Sequence, residues 1–132
     1  MENLTIEATK YTPEIFFDSE NHLLMIKGES YPENTAEFFT PVLNWIDEYL
    51  GHLKEETVIV HFEIIYFNSS TSKVLMDMFY QFDIAVANGK NIRVDWYYLK
   101  DDDNILEYGE EFKEDTEHLP FHLIEIDDEE EQ

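Results

Sequence analysis

The chain has 132 residues and a formal charge of −23, from 31 Asp and Glu against 8 Lys and Arg. No cluster of cations is left to neutralise nucleic-acid phosphates or an anionic membrane surface. Cysteine is absent, so a disulfide framework, a zinc–thiolate centre and a thiol nucleophile are all excluded. Hydrophobic content of 43% and aromatic content of 15% predict one folded domain over residues 1–126. The stretch 127–132, opened by Asp127-Asp128-Glu129-Glu130-Glu131, reads as an acidic, disordered tail. No apolar run approaches the roughly 18 residues of a membrane helix. Met1 to Glu7 lacks the basic-then-apolar pattern of a signal peptide, so a cytoplasmic protein is expected.

Leu4-Thr5-Ile6 reads as a short edge strand. Glu14 to Phe17 and His22 to Ile26 flank the polar turn Asp18-Ser19-Glu20-Asn21 and predict a β-hairpin. The loop Gly28 to Thr35 ends as a helix start, with Asn34 and Glu37 at capping-box spacing. Phe39, Val42, Leu43, Ile46, Leu50 and Leu53 then recur at helical spacing. Pro41 either bends this helix or restarts it with Thr40 as a second cap.

Thr57 to Phe67 is β-branched and aromatic, a buried strand with Glu63 its one acidic residue. It runs straight into Asn68-Ser69-Ser70-Thr71-Ser72 and a second helix from about Ser70 to Ala87. That helix has an apolar stripe of Val74, Leu75, Met78, Phe79, Phe82, Ala85 and Val86, and ends at Asn88-Gly89. Asn91 to Leu99 alternates as a strand, with Ile92, Val94, Trp96 and Tyr98 on one face. Asp101-Asp102-Asp103-Asn104 caps a third helix to about Glu114, and Phe121 to Ile126 forms the last strand. Strands alternating with single helices imply right-handed crossovers. The expected fold is α/β: a mixed sheet of four to six strands with an N-terminal hairpin and about three helices packed on it.

The strand–helix junction carries the functional signal. A hydroxyl at a helix N-terminus lies where free N–H groups and the helix dipole favour negative charge, so it is well placed to carry a phosphate. The same residue types are also the best N-caps, which on local chemistry alone is the commoner role. Lys73, one turn on, has two available partners: a phosphate on Ser69, or Asp77 at i+4. Tyr31 and Pro32 read either as rigid loop support or as part of a docking face. Trp45 and Trp96 read as core aromatics.

The order of elements and the Asn68-Ser69-Ser70 junction resemble the STAS-like fold of anti-sigma-factor antagonists, which carry an Asp-Ser-Ser-like sequence there. Two blocks resemble, more specifically, the SiaC-type biofilm-regulation phosphoproteins. One is Gly28 to Thr35, continuing to Phe39 and Trp45. The other is Tyr66-Phe67-Asn68-Ser69-Ser70 with Lys73 and Met76-Asp77. The similarity covers about residues 10–125.

That resemblance implies a non-catalytic partner switch. A dedicated kinase would phosphorylate Ser69 and a PP2C-type phosphatase would reset it. The unphosphorylated form would bind and activate an effector such as a diguanylate cyclase, raising cyclic di-GMP. Asn68, Ser70, Thr71, Lys73, Tyr31 and Pro32 would lie beside the phosphosite or face partners. This chain has Ser where the SiaC pattern has Thr, and Ser70, Thr71 and Ser72 are further hydroxyls among which the acceptor must be distinguished. The charge supports an alternative of another class, an acidic decoy that occupies a basic protein surface without a phospho-switch.

No arrangement argues for catalysis, a cofactor or a metal. There is no Gly-x-Ser-x-Gly elbow or phosphate-cradling glycine loop among 4 glycines. Pro120 separates His118 from His122. The Asp101–Asn104 run lacks the glycine and terminal glutamate of a calcium loop.

Overall fold

Strand, helix and turn signals assemble as one six-stranded mixed sheet in a computed structural model that describes residues 1–127. Beyond Asp127, the tail expected at 127–132 lies outside the described residues. In chain order the elements are β1 (Leu4–Ile6), β2 (Glu14–Asp18), β3 (Leu23–Ser30), α1 (Thr35–His52), β4 (Thr57–Phe67), α2 (Ser69–Ala87), β5 (Asn91–Leu99), α3 (Asp103–Asp115) and β6 (Phe121–Ile126). Spatial order follows chain order. β1, β2 and β3 are antiparallel neighbours, whereas β3, β4, β5 and β6 run parallel with a helix in each crossover. The six strands and three helices match the expected architecture.

Alternation along the strands sends one set of side chains to the helices. Phe17, Ile26, Val60, Phe62, Val94 and Trp96 are buried there with Phe39 and Ile46 of α1, Leu75, Phe79 and Phe82 of α2, and Ile105 and Phe112 of α3. Trp96 is a core aromatic as expected, and its indole N–H donates to the Ile105 carbonyl at 3.0 Å. Trp45 is only half-buried, stacked on Tyr49 with its N–H on the Glu2 carbonyl. The reverse face carries polar pairs. Glu63 bonds His61 and Lys27, and Asp95 bonds Arg93, so both carboxylates are buried with partners.

Pro41 neither ends nor restarts the first helix, which is continuous from Thr35 to His52. Thr40 is accordingly not a second cap: its hydroxyl donates back to the Ala36 carbonyl at 2.6 Å. Pro41 sits on the exposed side, where water can satisfy the carbonyl its ring leaves unpaired.

One irregularity shapes the functional end of the sheet. The β3–β4 register runs Gly28↔Ile64 and then Glu29↔Tyr66, so Ile65 is an extra, unpaired residue. Gly28 adopts φ +121 at this bulge, a conformation that only glycine enters without strain. The bulge leaves Ile65 and Tyr66 facing outward in succession, while Phe67 returns to the interior.

Candidate functional site

Asn68 sets the site. Its backbone is extended (φ −88, ψ 175), and its side-chain oxygen accepts the Thr71 N–H at 2.9 Å, capping α2. Its own N–H donates to the Ser30 carbonyl at 3.1 Å, which ties the cap to the end of β3. Asn68 is thus the cap, and Ser69 and Ser70 are the first two helical residues, both exposed. Their N–H groups have no acceptor within the helix and point out of its N-terminus.

Thr71 is a different case, and it corrects the expectation that it faces partners. It is 0% exposed. Its hydroxyl donates to the Ser30 carbonyl at 3.2 Å and lies 3.0 Å from the Ser30 hydroxyl. Thr71 is the first member of the inward stripe that continues with Leu75, Met78, Phe79 and Phe82. Stepping that stripe back four residues from Leu75 gives Thr71, a signal present in the sequence. Ser72 is half-buried, so Ser69 and Ser70 are the two exposed hydroxyls of the first turn.

Pro32 also departs from a partner-facing role, because it is buried. Tyr31 is half-buried within an edge-to-face ladder, 5.3 Å from Tyr11 and 5.5 Å from Tyr66 between ring centroids. Partial burial, and then the Glu29 carboxylate, push its phenol above the ordinary 10.0. Lys73 is exposed one turn below Ser69. The Lys73–Asp77 pairing does not form: among the described residues Lys73 makes no ion pair.

The electrostatics of the three helix starts differ. Glu37 lies in the first turn of α1 and Asp103 in that of α3, whereas the first turn of α2 has no acidic side chain. In a chain with 31 carboxylates, this positive dipole end is left without a negative partner of its own.

The profile of the SiaC family regulatory phosphoproteins matches residues 6–126. The chain belongs to that family. An uncharacterised protein of Pseudomonas aeruginosa strain UCBPP-PA14 is 32% identical over 121 residues, covering 92% of this chain and 94% of that protein. The structure of SiaC of Pseudomonas aeruginosa superposes with a TM-score of 0.87 at 30% identity, covering 96% of this chain and 100% of that one. A third match is to the crystal structure of the diguanylate cyclase SiaD in complex with its activator SiaC, also from Pseudomonas aeruginosa. There the TM-score is 0.88 at 30% identity, over 93% of this chain and 99% of the matched chain.

Among the described residues, no helix is long and apolar enough to cross a membrane, and no three His, Asp or Glu side chains gather as a metal site.

Proposed function

We propose that this SiaC-family protein is a non-catalytic partner switch of bacterial signalling, controlled by one phosphate on Ser69. A kinase adds the phosphate and a PP2C-type phosphatase removes it. The unphosphorylated form binds and activates a diguanylate cyclase, as the SiaC of the solved complex is the activator of SiaD. One observation carries this reading: an exposed serine at the first helical position of α2, in a first turn free of acidic side chains.

The chemistry follows from that position. A phosphate adds about −1.5 to −2 charge and three strong acceptor oxygens. The outward N–H groups of Ser69 and Ser70 can donate to it, the uncompensated dipole end attracts it, and Lys73 lies one turn away. Modification therefore leaves the fold intact. A partner seated over Ser69 would have to desolvate a dianion, which weakens binding without any rearrangement of the domain.

Incubation with the cognate kinase and ATP, followed by intact mass and peptide mapping, tests the site. One phosphate on the wild type and none on Ser69→Ala is the expected result. A phosphate that persists in Ser69→Ala overturns it.

A further inference from the structure

We propose that the cleft between the end of β4 and the start of α3 is a docking groove for a partner segment carrying apolar side chains flanked by Lys or Arg. The inference deepens the partner-switch reading and rests on it for one point, that a partner approaches this end of the sheet. Phe67 lines the groove and Ser69 follows two residues later.

The backbone creates the cleft. β4 and β5 pair only as far as Phe62↔Trp96, and β5 then continues with β6 alone to Leu99. Beyond Phe62 the two parallel strands part, and α3 starts above the gap. The Ile65 bulge turns two successive side chains of β4 outward into it. The result is a concavity of about 640 Å³. Ile65, Tyr66 and Tyr108 are 45%, 51% and 40% exposed, unusually high for large apolar side chains brought together. Tyr108 is held against Phe67 with ring centroids 4.7 Å apart, and Tyr66 is held by the Tyr31–Tyr11 ladder. These are pre-ordered aromatic anchors of the kind that dominate protein interfaces.

Charge selects the occupant. Asp102, Glu107 and Glu111 rim the groove, and among the described residues no Lys, Arg or His lines it. Such a rim attracts cations and repels nucleic acid and anionic lipid. Apolar floor and acidic rim together fit an amphipathic segment with basic flanks, laid into the groove by its apolar side.

The test titrates the full-length, isotope-labelled, unphosphorylated protein with short synthetic peptides and follows its amide resonances. One peptide has Leu at helical spacing flanked by Lys, a second has each Leu replaced by Ser, and a third has each Lys replaced by Glu. The first should give saturable shifts confined to residues 65–67 and the first turns of α3, and the other two should not. Ile65→Ser with Tyr108→Ala, and separately Glu107→Lys with Glu111→Lys, should weaken that binding about tenfold or more. The inference is overturned if no peptide gives saturable shifts there. It is equally overturned if the Leu-free peptide shifts the acidic surface in the same way, or if binding survives both double variants. Failure here with Ser69 still phosphorylated removes the groove alone. A phosphate found elsewhere removes the switch and leaves the groove result standing.

Discussion

The Thr71 and Ser30 hydroxyls lie 3.0 Å apart with no solvent exposure, and they fasten the first turn of α2 to the last residue of β3. The Ser30 carbonyl accepts from both the Thr71 hydroxyl and the Asn68 N–H. This double anchor fixes the helical phase, so Ser69 faces out because Thr71 faces in. Thr71→Val keeps the shape but leaves Ser30 short of a partner. A loss of about 1–3 kcal/mol is expected, measured by urea unfolding, with faster amide exchange at Ser69 and Ser70. Unchanged stability and exchange would show that the anchor is not what holds the turn.

Asn68 and Ser69 should separate cap from switch. Asn68→Ala removes the acceptor of the Thr71 N–H and should cost about 1 kcal/mol. Ser69→Ala removes a solvent-facing hydroxyl for which no protein partner is needed, and should stay within about 0.5 kcal/mol of wild type. The two midpoints in one denaturant series check the contrast. Equal losses would mean that Ser69 is itself structural.

Gly109 lets α3 lie directly on Trp96. A methyl group there would meet the Trp96 Cδ1 and Nε1 atoms at 2.6 Å and Leu123 Cδ2 at 2.8 Å. Gly109→Ala should overpack this contact and cost about 1–3 kcal/mol. It should also weaken the Trp96 N–H bond to Ile105, visible as a shift of the indole resonance. Full stability with an unmoved indole signal would contradict the close approach.

Asp83 clamps the segment before β6. Burial alone would raise its carboxyl, but the N–H groups of His118, Leu119 and Glu117 outweigh it and hold the group below its ordinary 3.8. A carboxyl lowered in the native state leaves the unfolded state binding more protons, so stability rises with pH. The contribution is full above the ordinary 3.8 and is lost as pH falls below it towards the native value. Asp83→Asn keeps an acceptor oxygen but cannot titrate. Its unfolding free energy should fall less steeply through that acid window than the wild type's; identical slopes would contradict the clamp.

Much of this was legible in the chain because the signals were periodic. The alternation at Asn91–Leu99, the stripe Leu75–Phe82 and the Asn88-Gly89 stop each name their element without help from the fold. The Asn-Ser-Ser junction was legible as a helix start for the same reason. Which hydroxyl faces water was not, because that depends on Asn68 being the cap and on Ser30, distant in sequence, meeting Thr71. The bulge at Ile65 has no local marker beyond Gly28 on the neighbouring strand. The same limit hid the groove, since it exists only where two strands part. Of the two readings open at Pro41, the restart fails because the cost of a proline is small on an exposed helix face. Glu63 and Asp95 are buried because His61 and Arg93, two residues back on the same strands, pair with them, and Lys27 of the neighbouring strand reaches Glu63 as well.

The most direct measurement is the affinity of the cognate diguanylate cyclase for this protein before and after stoichiometric phosphorylation, by calorimetry on purified components. Tight binding by the unmodified form should weaken at least about tenfold, or about 1.4 kcal/mol, once Ser69 carries its phosphate. Ser69→Ala, treated with the same kinase, should keep the unmodified affinity. Equal affinities for the two forms of the wild type would contradict the switch.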